Sequence, residues 1–198
     1  MKLIFNHNEG SYIEETGACL MEVDCLKENE TSKFMFENGW IPYIEENIWY
    51  QCKSARLKLS TISKRRKKEL SKINFYEKGN FEEITERARP FGCFDQKWLD
   101  YFKIKEPNYK FFMDDAAFGI VNFFDDQIIY TNLVWDKNKV LNSYGTLSYY
   151  HLIEKFRNDY EYMYITEYYE IFSYKENLQG FEFWDGKKWN INIKELDK

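Results

Sequence analysis

The stretch "SYGTLSYYHLIEKF", residues 143–156, follows the apolar run "QIIYTNLVW" and precedes a second apolar run, "YMYIT". Apolar residues within it are spaced by 3, 1 and 3 positions, as on one face of a helix: Tyr149, Leu152, Ile153 and Phe156. The order strand, helix, strand predicts a crossover between two parallel strands. The helix entrance would offer backbone N–H groups and a positive dipole end to an anion, and Gly145 would let a ligand approach that backbone.

The residues before this helix have the pattern of an antiparallel meander. The runs "YKFFMDD", "AFGIVNFFDD" and "QIIYTNLVW" are apolar and are separated by Asp pairs, which are common at tight turns. Catalytic acid pairs are the alternative interpretation of those aspartates. The sequence predicts a mostly antiparallel sheet with one crossover helix, in which the strand of Tyr162 and Tyr164 is central. This arrangement resembles the core of acetyltransferase-like (GNAT) folds, so the expected class is α+β.

A smaller α+β region, residues 1–75, is expected to precede the sheet. Its predicted strands are "ACLMEV", "NIWYQC" and "RLKLST". A helix is predicted within about residues 29–38, with Thr31 or Ser32 as its cap and Gly39 as its stop.

The remaining organisation follows from capping and helix-breaking residues. Ser63 is predicted to cap a strongly basic helix, "KRRKKELSKI". Residues 76–108 are predicted to form a helical connector, with helices across "FEEITERARPF" and "DQKWLDYFKI". Residues 109–198 are expected to form the GNAT-like region.

Composition restricts the class of protein. The 198 residues are 44% hydrophobic and 20% aromatic, which fits one sizeable core or two small subdomains that share one. A net charge of −5 argues against a general nucleic-acid coat and leaves room for a local basic patch. No apolar run approaches the ~20 residues of a membrane span, and "MKLIFNHNEG" lacks a signal-peptide core. We therefore expect a cytoplasmic protein without a membrane partner.

The four cysteines, at positions 19, 25, 52 and 93, form no C-x-x-C pair and accompany no paired histidine motif. In an extended strand Cys19 and Cys25 would lie about 20 Å apart, too far to share one metal ion. The expected role of these residues is that of buried small hydrophobes, and no metal site is predicted.

One segment, residues 144–189, resembles the aminoacyl-tRNA protein transferases of the arginyl and leucyl type, which have an acetyltransferase-like fold. Its characteristic positions are Gly145-Thr146, Glu154, Tyr162, Tyr164, Tyr168-Tyr169, Tyr174-Lys175, Glu182, Asp185-Gly186 and Trp189. The earlier segments "FENGWIP", "WYQCKSARLKL" and "SKRRKKEL" are similar to the family's first half. The chain keeps Cys52 but lacks the family's cysteine cluster, and it is about three residues shorter between Tyr169 and Tyr174.

The resemblance implies a transferase that moves an amino acid, of the Arg or Leu type, from aminoacyl-tRNA to the free N-terminus of a protein or peptide. The partners would be that tRNA and that acceptor, without a cofactor or metal. Such an enzyme mainly positions an amine against an already activated ester, removes a proton and stabilises an oxyanion. Two alternatives remain: a GNAT-like N-acyltransferase that uses acyl-CoA, and a non-catalytic relative that binds peptides or RNA.

The reacting groups are assigned to two places in the sequence. Gly145 and Thr146, at the helix entrance, would hold the tRNA end. The reacting edge would be formed at the end of the "YMYIT" strand by Thr166, Glu167 and Tyr168, where Glu167 could accept a proton or hold the acceptor's ammonium. The alternative for Glu167 is a solvated carboxylate at a strand end.

Aromatic and cationic residues would complete the substrate-binding set. Tyr168, Tyr169 and Tyr174 could stack the terminal adenine, and core packing is their alternative role. The cationic candidates could bind tRNA phosphates or an acidic acceptor residue: Arg56, Lys64, Arg65, Arg66 and Lys175. For the basic run, a solvated helix face is the alternative. Both histidines, His7 and His151, are expected at the surface.

Overall fold

The computed structural model describes residues 2–6, 19–24, 29–42, 48–52, 54–78, 86, 109–113, 117–124, 126–135, 144–167 and 170–195. The protein is α+β and its strands pair mostly in antiparallel fashion, which confirms the expected class. The chain divides into two compact units. The first contains Met1–Lys58, Phe124–Gln127 and Tyr162–Lys198, and the second contains Leu59–Phe123 and Ile128–Glu161.

The strands are β1 Lys2–Asn6, β2 Cys19–Asp24, β3 Trp40–Pro42, β4 Ile48–Cys52, β5 Ser54–Lys58, β6 Tyr76–Lys78, β7 Tyr109–Met113, β8 Ala117–Phe124, β9 Gln127–Trp135, β10 Tyr162–Glu167, β11 Phe181–Trp184 and β12 Trp189–Asn190. The α-helices are α1 Asn29–Glu37, α2 Lys64–Leu70 and α3 Tyr144–Phe156. Short 3-10 helices span Glu170–Asn177 and Ile193–Glu195.

In the first unit, four strands form an antiparallel sheet in the order β1-β2-β4-β3. Helix α1 precedes β3 and ends before Gly39, whose φ of 77° is the left-handed conformation that glycine adopts readily. This confirms the predicted stop. The predicted caps Thr31 and Ser32 are wrong, because α1 already begins at Asn29 and both residues lie inside it.

A second set of strands in the first unit has the order β12-β11-β5-β10. Strand β5 pairs antiparallel with β10 on one edge and with β11 on the other. Its alternate residues Ala55 and Leu57 are fully buried on one face, and Arg56 lies on the opposite face. The register of these three strands builds the candidate site described below.

In the second unit, the strand order is β9-β8-β7-β6, and β7 pairs antiparallel with both β6 and β8. This confirms that the predicted apolar runs are strands. Helix α3 contributes buried Leu152 and Ile153, as its sequence period predicts. Phe156 of α3 packs edge-on against Phe112 of β7 at 5.8 Å between ring centroids.

Helix α2 begins as predicted after Ser63, whose Oγ accepts a hydrogen bond from the backbone N–H of Arg66. It lies against α3: the Lys67 ammonium is 2.7 Å from a Glu154 carboxylate oxygen, and the Arg66 guanidinium lies over the Tyr150 ring. These contacts belong wholly to the second unit.

Most of the predicted connector, 76–108, lies outside the described residues, as does the whole of its second predicted helix. Within the first predicted helix, Glu86 is helical, and Tyr76–Lys78 at the start of the connector is a strand. Among the residues that the structure describes, no helix is long and apolar enough to cross a membrane.

Candidate functional site

Three residues of the first unit face one another across adjacent strands. The register pairs Arg56 of β5 with Tyr164 of β10 and, on its other edge, with Glu182 of β11. Directly opposed residues of antiparallel strands project from the same face of a sheet. Strand pairing alone therefore brings three residues that are far apart in the sequence into one row.

The centre of this row is an ion pair. Nε of Arg56 donates to Oε2 of Glu182 at 2.7 Å, and a terminal guanidinium nitrogen lies 2.7 Å from the same oxygen. The side chains are only 10% and 11% exposed, so the pair is largely removed from water. Charge-assisted bonds of this length are among the stronger hydrogen bonds in proteins.

Aromatic rings cover the Arg56 guanidinium. Its central carbon is 3.7 Å from the centroid of the Tyr162 ring and 4.2 Å from that of Trp189. Tyr162 stands on β10 two residues from Tyr164, and Trp189 stands on β12 opposite Trp184. The guanidinium is attracted to both rings and has little room to move.

The ion pair retains unused hydrogen-bonding capacity. A guanidinium has five N–H donors. Besides the bonds to Glu182, the other terminal nitrogen of Arg56 donates to the Tyr164 hydroxyl at 3.4 Å. Among the described residues, two N–H groups of Arg56 and Oε1 of Glu182 have no partner. The pair could therefore bind an anionic group and an ammonium group at neighbouring positions.

Tyr164 forms the floor of the site. It is 1% exposed, and burial raises the pKa of its hydroxyl to about 12 although Arg56 acts in the opposite direction. Its ring packs against Phe36 of α1 at 4.4 Å and against Trp189 at 5.6 Å between centroids. At neutral pH this hydroxyl is therefore a neutral hydrogen-bonding group.

Side chains of the same unit donate hydrogen bonds to backbone oxygens at the end of α1. Nε1 of Trp189 donates to the backbone oxygen of Glu37 at 3.0 Å, and the Ser54 hydroxyl donates to the backbone oxygen of Gly39. Nε2 of Gln51 donates to the backbone oxygen of Asn38 at 2.8 Å. These bonds satisfy helix-end carbonyls that would otherwise lack partners.

The predicted residues near the end of β10 are described in part. Lys175 is 5% exposed and its ammonium donates to the backbone oxygen of Ile165 at 3.2 Å, which ties the 3-10 helix to β10. Tyr174 is half-buried. Thr166 and Glu167 belong to β10, but only their backbone is described, and Tyr168 and Tyr169 lie outside the described residues.

Gly145 and Thr146 lie in the first turn of α3, in the second unit, and both are half-buried. Gly145 has helical backbone geometry, so its conformation does not require glycine. Its backbone oxygen accepts a hydrogen bond from the Ser148 hydroxyl at 2.7 Å. Any functional role of Gly145 therefore lies in the room that the absence of a side chain leaves for a ligand at the start of α3.

The basic run is partly neutralised within the second unit. Arg65 and Arg66 both pair with Glu69, at 3.2 Å and 2.7 Å. The bond from Arg66 holds the pKa of the Glu69 carboxyl below its usual value and raises the pKa of Arg66. Lys64 is exposed.

No metal centre can be built from the described residues, because no group of three or more His, Cys, Asp or Glu side chains comes together there. The backbone register places Cys19 directly opposite Cys52 across β2 and β4, a proximity that spacing along one strand did not reveal. His151 packs edge-on against Phe75, and burial, followed by the charge of Lys155, lowers the pKa of its imidazole. It is not the surface residue that the sequence suggested.

Sequence reasoning noted Tyr162, Glu182 and Trp189 only as characteristic positions and gave them no role at the site. The period-2 pattern of β10 and β11 is the signal that places Tyr162 with Tyr164, and Glu182 with Trp184, on single faces. The pairing of both strands with β5, which brings these faces to Arg56, is not readable from that pattern.

No protein-family model matches the chain, and no curated protein matches it in sequence. Among solved structures, L-PGS from Bacillus licheniformis is similar, with 13% sequence identity and a TM-score of 0.47. The match covers 85% of this chain and 68% of that chain. At this identity and score, the similarity supports no conclusion about the activity of the present chain.

Proposed function

We propose that the protein is an aminoacyl-tRNA-dependent transferase that adds an amino acid, of the Arg or Leu type, to the N-terminus of a protein or peptide. One observation carries the proposal: Arg56, Tyr162, Tyr164, Glu182 and Trp189 converge on one face of the strands β12-β11-β5-β10. Tyr162, Tyr164, Glu182 and Trp189 are among the positions that resemble the transferase family, and Arg56 lies in the family-like segment "WYQCKSARLKL". Residues that form one functional site must lie close together in the fold, and these five residues do.

The proposed fold is correspondingly GNAT-like, with α3 as a crossover between parallel strands β9 and β10. In the reaction, the acceptor's α-amine attacks the ester carbonyl that joins the amino acid to the terminal ribose. A C–N bond forms, the C–O bond to the ribose breaks, and the proton lost by the amine balances the proton gained by the ribose oxygen. Because the ester is already activated, positioning and charge stabilisation are the protein's main contribution.

Arg56 and Glu182 are proposed to orient a substrate. The unused N–H groups of Arg56 suit a phosphate or carboxylate, and Oε1 of Glu182 suits an ammonium. Glu167 and its neighbours Thr166 and Tyr168 are proposed as the reacting edge, with Glu167 accepting the proton. Tyr168, Tyr169 and Tyr174 are proposed to stack the terminal adenine.

Gly145 and Thr146 are proposed to hold the tRNA end at the entrance of α3. One glycine at a helix start accommodates a ribose or a single phosphate, whereas a CoA pyrophosphate calls for more backbone N–H groups than "NSYGTL" offers. This favours tRNA over acyl-CoA as the donor. Action in the cytoplasm, with no membrane partner, is part of the same proposal.

Paired titrations of charged tRNA and acetyl-CoA against wild type and Gly145→Val test the donor assignment. We expect wild type to bind charged tRNA, with an affinity that falls steeply with salt, and Gly145→Val to lose transfer. Tight acetyl-CoA binding that is lost in Gly145→Val, without tRNA binding at low salt, would move the protein to the acyltransferase alternative. Absence of binding by either ligand would favour a non-catalytic relative.

A further inference from the structure

Helix α2 has one face that is occupied by contacts with α3. Arg66 lies 4.9 Å from the centroid of the Tyr150 ring, and Lys67 is 2.7 Å from Glu154. Leu70 is half-buried and lies between these two positions around the helix axis. Arg66, Lys67 and Leu70 therefore define the inner face of α2.

The opposite face carries a row of lysines. At about 100° per residue, Lys64, Lys68 and Lys72 lie within an arc of about 80°, roughly opposite the inner face. The turn that follows α2 preserves this alignment, because Ser71 is helical in conformation and the backbone N–H of Lys72 donates to the backbone oxygen of Glu69 at 3.1 Å. We call Lys64, Lys68 and Lys72 the lysine row.

No acid among the described residues neutralises the charges of the lysine row. All three side chains are exposed, and none lies within salt-bridge distance of an acid in the part of the chain that the structure describes. The nearby carboxylates are already used: Glu69 pairs with Arg65 and Arg66, and Glu154 pairs with Lys67 and Arg157. A net acidic protein thus presents a concentrated positive strip.

The cations of α2 differ in how they interact with the helix dipole. Its first turn holds three cations, Lys64, Arg65 and Arg66, and no acid. Cations at a helix N-terminus oppose the helix dipole. Packing against α3 uses only the inner face. On the outer face, Lys64 lies in the first turn, where the dipole opposes a cation, whereas Lys68 lies in the last turn, where the dipole favours one.

We propose that the lysine row binds the phosphate backbone of double-stranded RNA. Neighbouring lysines of the row are separated by about 6 Å along the helix axis, so their ammonium groups can contact successive phosphates along one strand of a duplex. The outer face offers no aromatic ring for base stacking and no apolar side chain for insertion into a membrane. Binding is therefore electrostatic and independent of base sequence.

The inference rests on the proposed function, in which the duplex is the acceptor stem of the charged tRNA. It extends that function to Lys68 and Lys72 and gives Arg66 a structural role, because its guanidinium is held by Glu69 and Tyr150. The phosphate contacts thus come from the outer face of α2.

The test compares two triple variants of the full chain. The first is Lys64→Gln, Lys68→Gln and Lys72→Gln. The matched control, Lys187→Gln, Lys188→Gln and Lys194→Gln, removes the same charge from exposed lysines of the first unit. Because the lysines of both sets are exposed, the unfolding midpoints of both variants should lie close to that of wild type, which shows that each variant folds.

Binding of a fluorescent RNA duplex of arbitrary sequence is measured over a range of salt concentrations. We expect the first variant to lose at least about tenfold in affinity at low salt and its log–log salt slope to fall by about 2 to 3, while the control matches wild type. Equal affinity of the two variants would overturn the proposal. So would lysine-row-dependent binding to anionic vesicles or to an acidic peptide with no binding to the duplex.

Peptide modification by charged tRNA, measured in the same preparations, separates this inference from the proposed function. Row-dependent duplex binding without transfer would support the lysine row and contradict the transferase. Transfer by wild type that is undiminished in the first variant, with unchanged duplex affinity, would support the transferase and contradict the row.

Discussion

At the level of single residues, the proposed site depends on Arg56. A buried charge is tolerated when it is paired, and the planar guanidinium meets Glu182 while the rings of Tyr162 and Trp189 lie against it. Lysine could reproduce the charge but neither the planar stack nor the two-nitrogen bond. The site therefore requires arginine for geometric reasons.

Removal of one ion-pair partner should be more damaging than removal of both. We expect Arg56→Ala to lower the free energy of unfolding by about 3–5 kcal/mol, because it leaves the Glu182 carboxylate buried without its cation. The double variant Arg56→Met with Glu182→Leu should recover much of that loss while transfer stays absent. Urea denaturation and the peptide-modification assay measure the two effects; a double variant that is less stable than Arg56→Ala would contradict this view of the pair.

Because of Tyr164, the free energy of unfolding should decrease at high pH. Its folded-state pKa, about 12, lies above the ordinary value of 10, so the folded state retains a proton that the unfolded state releases. Stability from this group is complete below about pH 10 and is lost as pH rises toward 12, by about 2–3 kcal/mol. Tyr164→Phe should lack this component in urea denaturation between pH 9 and about 12. An unchanged pH profile in the variant would show that burial does not shift this hydroxyl.

At the scale of secondary-structure elements, the end of α1 is set by steric demands at Gly39. Its φ is 77°, and a Cβ atom there would overlap the ring of Trp184. Gly186 also has a left-handed φ, of 94°, but no atom lies within 4 Å of its Cβ position. The two glycines thus share a backbone constraint and differ in side-chain contact.

This difference yields a matched pair of variants. Gly186→Ala should cost about 1–2 kcal/mol, the penalty of a left-handed alanine. Gly39→Ala should cost that amount and about 1–3 kcal/mol more, because the Trp184 ring must move. Thermal and urea unfolding measure both values. Equal losses in the two variants would mean that Trp184 does not restrict Gly39.

The sequence predicted elements better than it predicted their association. Local signals were sufficient for the Ser63 cap, the Gly39 stop and the strands β2, β4 and β10, because capping chemistry and side-chain alternation act within a few residues. Strand β5 was predicted as "RLKLST" but begins two residues earlier, at Ser54, and ends at Lys58. The start of α1 was misplaced, since its first turn contains Thr31 and Ser32. Neither the convergence on Arg56 nor the Cys19 to Cys52 register could be predicted, because both depend on pairings between distant strands.

At the scale of the whole molecule, the two units carry different parts of the proposed function. The first holds Arg56, Glu182 and the β10 end, and the second holds the α3 entrance and the lysine row. Arg56 and Lys175 of the first unit are buried and hydrogen-bonded, whereas the lysine row is exposed. This division fits a reaction at the site of Arg56 in the first unit and electrostatic binding at the lysine row in the second.

Metal content is a further property of the whole chain. Because the cysteine spacing lacks a ligand motif, we expect the purified protein to contain no stoichiometric zinc or iron. Elemental analysis of wild type and Cys52→Ser measures this. About one metal ion per wild-type chain that disappears in Cys52→Ser would contradict the expectation and make the Cys19 and Cys52 register the starting point for a metal site.

The central claim is transfer of an amino acid from tRNA to a peptide N-terminus. It is tested most directly by incubating the protein with total charged tRNA and a panel of peptides that differ in their first residue, followed by mass spectrometry. We expect at least one peptide to gain the mass of one amino acid at its N-terminus, and we expect acetylation of the peptide N-terminus or the substitution Gly145→Val to abolish the gain. No mass gain on any peptide by folded protein, or gain of an acetyl group from acetyl-CoA in its place, would contradict it.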